Sequence, residues 1–96
     1  MKKDILGYVC VDSGQVIIID PCYLHEWKDG ESDDKKSHYG KCCDITLSKK
    51  RGGEVLVSGV AGNGVVSGTY YGDGVYAVYA KRDKGGRIES LEIVFN

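Results

Sequence analysis

The sequence predicts a mainly β fold: a single small domain built as an antiparallel meander of hairpins, with one or two short helical segments. Three observations predict it. Runs rich in β-branched and aromatic residues recur along the chain, and glycine-bearing turns drawn from fourteen glycines separate them in the C-terminal half. Only one stretch, residues 39–48, keeps an apolar period compatible with a helix of any length.

The elements follow in order. "ILGYVCV" (5–11) and "QVIII" (15–19) flank "DSG" and read as an opening β-hairpin. The unbroken apolar run from Val16 to Ile19 predicts a strand covered on both faces, and Asp20-Pro21 ends it because proline cannot donate to a ladder. "CYLHEW" suits a single helical turn whose Tyr23, Leu24 and Trp27 close over one end of the sheet. Residues 28–38, dense in charge and without an apolar side chain, predict a solvated, mobile loop. In residues 39–48, Tyr39, Cys43 and Leu47 recur at helical spacing, while Cys43, Ile45 and Leu47 alternate as in a strand; Ile45-Thr46 tips the reading to strand. Then "EVLVSGV" (54–60), "GVVSGTY" (64–70), "GVYAVYAKR" (74–82) and "GRIESLEIVF" (86–95) are parted by "AGNG", "YGDG" and "DKGG", bringing the expected strands to seven.

Composition bounds the function. A chain of 96 residues buries only about two-thirds of the surface its unfolded form exposes, so a homo-oligomer is expected. Thirteen basic residues against fourteen acidic ones argue against a protein that coats DNA or RNA, which needs a basic surface. A small anion needs only two or three cations and stays open. With no signal-peptide core and no apolar run of membrane-spanning length, the expected compartment is the cytoplasm.

Cys10, Cys22, Cys42 and Cys43 are expected to be reduced there, since gaps of twelve, twenty and one residues lack the paired spacing of a zinc site. No cofactor and no metal is expected. Asp29, Glu31, Asp33 and Asp34 lack the order of a calcium loop. "DPCYLHEW" sets Cys22 near His25, residue types that a nucleophile and its base require, but three residues of separation do not make that geometry, and Asp20 is expected to cap the following turn. "KKRGG" (49–53) is either an anion clamp or a charged turn. His38, beside Lys35 and Lys36, signals nothing specific.

The strongest candidate site is "TYYGDGVYAVYAKR" (69–82). Glycines let backbone N–H groups approach phosphate oxygens, and tyrosine rings stack on bases. Tyr70, Tyr71 and Tyr76 are the expected stacking residues, with Thr69 and Asp73 as polar contacts. Lys81, Arg82 and Arg51 are the expected phosphate cations, and Tyr23 and Trp27 secondary aromatic contacts. The competing reading is a plain hairpin turn between strands that carry ordinary tyrosines.

"VDSGQVIIIDPCYLHEW", Ser67 to Val78 and the Gly85-Gly86-Arg87-Ile88 turn together resemble a widespread, mostly uncharacterised group of short phage and bacterial proteins with DSGQ…DPCY, S-T-G-Y-G-D-G-x-Y-P-V and E-G-R-I segments. Two departures stand out: Ala77 occupies the proline position of many relatives, and an extra tyrosine precedes Gly72. By analogy with small phage nucleotide sponges, which sequester the cyclic signals of CBASS and Thoeris defence, the resemblance implies non-catalytic binding of a cyclic dinucleotide or an ADP-ribose-derived signal. A small hydrolase and a structural or protein-binding phage accessory are the alternatives.

Overall fold

The computed structural model describes residues 3–59 and 62–96. Val60, the last residue of one expected strand, and Ala61 of the expected "AGNG" turn lie outside them. Strands hold 46% of the described residues and helices 16%, so the mainly β expectation stands. The described residues form six strands: β1 (Lys3–Val11), β2 (Gln15–Ile18), β3 (Gly52–Ser58), β4 (Gly62–Gly68), β5 (Gly74–Arg82) and β6 (Ile88–Ile93). A 3₁₀ helix, Pro21–Glu26, and an α-helix, α1 (His38–Thr46), lie between β2 and β3. The chain divides into two compact units, one formed by the residues up to Gly14 and from Thr69 to Asn96, the other by Gln15–Gly68.

The first unit is a three-stranded antiparallel sheet in the order β1-β5-β6. On one face Val11, Tyr76 and Ala80 are buried, and the Phe95 ring meets Tyr76 edge-on at 5.4 Å. The β5–β6 turn is tied by Asp83, whose Oδ1 accepts the N–H groups of Gly85 and Arg87 at 2.8 and 2.9 Å.

The second unit is a sheet in the order β2-β4-β3 with α1 packed on it. Its core is Cys42, Val55 and Val66, against which Ile17, Trp27 and Ile45 pack. Gly64 makes room for this: a Cβ there would sit 3.0 Å from Ile17 Cδ1 and 3.0 Å from the Ile18 carbonyl oxygen. α1 begins at Ser37, whose Oγ accepts the Gly40 N–H at 2.9 Å, the bond expected of an N-cap. Gly40 is required as well, because a Cβ would run into the Asp34 carbonyl.

Four expectations are corrected. The opening hairpin does not form: β1 pairs with β5 and β2 with β4. The reason lies at Gly14, whose N–H donates to Asp73 Oδ1 at 2.9 Å and whose carbonyl accepts from Thr69 at 3.0 Å. Its polar groups are taken, so "DSG" does not close a pair across itself. The meander is also interrupted, because β4 has β2 and β3 on its two edges and β5 has β1 and β6, leaving neither an edge for the other. Residues 39–48 are mostly helix rather than a seventh strand; the inward stripe is His38, Cys42 and Ile45, spaced i, i+4, i+7, and Leu47 is exposed. Finally, β2 is an edge strand with Ile18 exposed, not a strand covered on both faces.

The charged loop is largely exposed as expected, but its base is closed. The His38 N–H donates to the Lys28 carbonyl at 2.9 Å, and His38 Nδ1 accepts the Lys28 N–H at 2.6 Å.

Burial, and after it the neighbouring Cys43, push the Cys42 thiol above its ordinary value of 9.0. The folded thiol therefore keeps its proton to a higher pH than the unfolded one. Its contribution to stability is whole below pH 9.0 and is lost as pH rises through the folded value. Chemical denaturation between neutral and strongly alkaline pH should show stability falling more steeply in the wild type than in Cys42→Ala; equal slopes would contradict the assignment.

Candidate functional site

The connection from β4 to β5 is built as a hydrogen-bonded frame. The Gly72 N–H donates to the Thr69 carbonyl at 3.0 Å, closing a β-turn with Tyr70 and Tyr71 at its two central positions. Gly72 has φ +80, a conformation that disfavours any residue with a Cβ. Its carbonyl accepts two hydroxyls, Thr69 Oγ1 at 2.6 Å and Tyr76 Oη at 2.8 Å. Asp73 then reaches the Gly14 N–H. The two segments that carry the family resemblance, "DSGQ" and "TYYGDG", thus meet at Gly14.

This frame sorts the candidate residues. Thr69, Asp73 and the buried Tyr76 are brought together, and all three are committed to holding the turn. Tyr70 and Tyr71 are 82% and 67% exposed, and their rings stack on each other with centroids 4.7 Å apart. Among the described residues the backbone N–H groups of Tyr70 and Tyr71 have no acceptor.

The cations are elsewhere. Lys81 lies at the far end of β5, eight residues from Asp73, which at about 3.3 Å per residue is roughly 26 Å along the strand. Lys81 Nζ is 3.8 Å from Glu89, and Arg82 Nε is 3.2 Å from Asp4 while its Nη1 donates to the Gly86 carbonyl at 2.9 Å. These groups staple the β1-β5-β6 sheet.

Arg51, Tyr23 and Trp27 belong to the second unit. Arg51 is exposed with φ 61, uncommon for a non-glycine residue, and its carbonyl accepts the Gly68 N–H at 2.8 Å. Trp27 is a packing residue: it leans on the core, its ring centroid lies 5.4 Å from that of His38, and its Nε1 donates to Asp29 at 2.8 Å. Tyr23 is half-buried on the 3₁₀ helix.

Cys22 and His25 are not assembled as nucleophile and base. His25 Nε2 is 3.7 Å from Glu26. Asp20 caps the 3₁₀ helix by accepting the Cys22 N–H at 3.0 Å, as expected of it. Desolvation by the surrounding turn and, after it, the hydrogen bond and charge of Asp20 raise the Cys22 thiol above its ordinary value, the opposite of what a thiolate nucleophile needs. Among the described residues no cluster of three or more His, Cys, Asp or Glu side chains is placed to hold a metal ion. No described helix is long and apolar enough to cross a membrane.

Sequence reasoning missed one feature, an open groove of about 300 Å³ in the second unit lined by Lys41, Asp44, Ile45, Glu54, Val55 and Leu56. It forms only once residues 38–46 are a helix, and the signal for that was Ser37 ahead of the His38, Cys42 and Ile45 stripe.

The fold and site together define a small β protein of two three-stranded sheets with an aromatic turn held at the junction of two sequence motifs. The chain belongs to the DUF4241 family, described as a protein of unknown function, whose profile matches residues 1–93. No curated protein and no solved structure matches the chain.

Two outcomes are expected. Asp73→Ala leaves the Gly14 N–H without its acceptor and should lower the unfolding free energy by about 1 kcal/mol in urea titrations, with Asp73→Asn losing less because its amide oxygen still accepts. All four cysteines are free, so thiol titration of denatured protein should count four. In the native protein the exposed Cys22 should react well ahead of the buried Cys42, which should react only on unfolding.

Proposed function

We propose that this protein is a non-catalytic binder that holds a small nucleotide signal, of the cyclic dinucleotide or ADP-ribose-derived kind, and withholds it from a receptor without breaking it. In a phage, such binding removes a host defence signal from circulation.

The observation that supports this reading is the Tyr70–Tyr71 pair. Two aromatic faces stand in solvent on a turn whose backbone is held by hydrogen bonds to Thr69, Gly72 and Asp73. Stacking a base on tyrosine is worth about 1 to 3 kcal/mol, and a preorganised turn keeps the ordering cost of binding low. The unbonded N–H groups of Tyr70 and Tyr71 suit a phosphate oxygen. Lys81 and Arg82 take no part at the turn, so stacking and backbone donation carry the affinity.

That same displacement of the cations favours a second reading, a protein-interaction accessory that uses the tyrosine turn as an anchor, since tyrosine is enriched at protein contacts.

Calorimetry against cyclic dinucleotides and cyclic ADP-ribose isomers separates the two. The expected result is binding by the wild type, intact ligand recovered after heat denaturation, and an affinity loss of roughly tenfold or more in Tyr70→Ala or Tyr71→Ala. A cleaved product would replace the reading with hydrolysis, and no heat from any compound would leave the protein contact.

A further inference from the structure

The register of the β1-β5-β6 sheet assigns its side chains to two faces. One carries Val11, Tyr76 and Ala80, which are buried. On the other, Cys10 stands opposite Val75, Tyr8 opposite Ala77, and Ile5 opposite Tyr79, which in turn faces Glu92. Tyr8 is 64% exposed, Val75 63% and Ile5 48%. A scattered exposed apolar residue is ordinary; a contiguous block spanning two strands marks a contact surface.

One end of this face is charged, and the charges are ordered. The cations Lys3 and Lys81 lie on β1 and β5, and the anions Glu89 and Glu92 on β6, with Lys3 paired to Glu92 and Lys81 to Glu89. The face has no net charge there for a strongly charged partner to read.

We propose that two copies of this chain pack through this face, about a two-fold axis parallel to β5. That rotation lays β1 of one copy over β6 of the other, so Lys3 faces Glu89 and Glu92 of the partner subunit, and the reverse. Val75, Ala77 and Tyr79 on the central strand meet their own counterparts along the axis. Tyr8, Val75 and Ile5 still offer much of their surface and the half-buried Ala77 and Tyr79 less, so with Cys10 and the flanking charged side chains the face offers on the order of 500 Å² per copy, at the lower limit for a small specific dimer. A net charge of −1 sets no strong repulsion between copies. Two twisted sheets packed face to face in this way form an aligned sandwich.

Light scattering with the folded state checked by circular dichroism tests this. The wild type should show twice the 10.5 kDa chain mass at concentrations up to about 100 µM. Val75→Lys, at an exposed position that tolerates the change, places two like charges against each other on the axis and should give a folded monomer. Glu92→Lys should weaken the dimer at least about tenfold, and adding Lys3→Glu should restore it. A monomeric wild type in this range would overturn the proposal. So would a dimer indifferent to Val75→Lys, or a Glu92→Lys dimer that Lys3→Glu does not rescue.

Discussion

Most of the first unit is organised around one glycine. The chain leaves that unit after Gly14 and re-enters it at Thr69, and these two residues are hydrogen-bonded to each other. Asp73 holds the other side of Gly14 through its carboxylate. The end of β1 is thereby pinned to the start of β5, which sets the β1–β5 register, and the β-turn from Thr69 to Gly72 is fixed in the same act. Gly14, with φ +67, accepts a conformation that a side chain would resist. In this chain "DSGQ" and "TYYGDG" each supply half of this clasp.

The rest of the "DSGQ" segment works in the other unit. Gln15 Oε1 accepts Thr46 Oγ1 at 3.0 Å and its Nε2 lies 3.4 Å from Cys43 Sγ, so the first residue of β2 grips the last turn of α1. The core beneath is only a few side chains, and a helix carrying Cys42 and Ile45 fits it because Gly53 and Gly64 present no Cβ bulk toward Ile45 and Ile17. Small residues here set how closely layers approach, which a thin core requires.

Strand positions were legible in the sequence to within about two residues, because alternation and glycine turns are local signals. β5 matches its expected span, residues 74–82, and β2 falls one residue short of its expected end. Pairing was not legible: alternation tells which face a residue takes but not which strand lies beside it, so "DSG" between two apolar runs looked like a hairpin when its glycine was engaged by Thr69 and Asp73. Residues 39–48 misled because Leu47 was counted as an inward position, whereas the inward stripe starts at the polar His38. At the site, the tyrosines and the Gly-Asp-Gly turn were readable as a unit. The cations were not, since adjacency in "YAKR" hides a whole strand length between Lys81 and the turn.

The clasp between Lys28 and His38 has a separate consequence. It closes the polar loop at its neck, and the Asp34 carbonyl, which accepts both the N–H and the hydroxyl of the buried Ser37, fixes the helix start from the loop side. Lengthening a closed loop costs only about 0.6 kcal/mol for each doubling. The exposed Ser32-Asp33 tip, which lies between Asp29 on Trp27 and Asp34 on Ser37, is therefore the natural graft point, where inserted sequence of varied length leaves the helix and its core undisturbed.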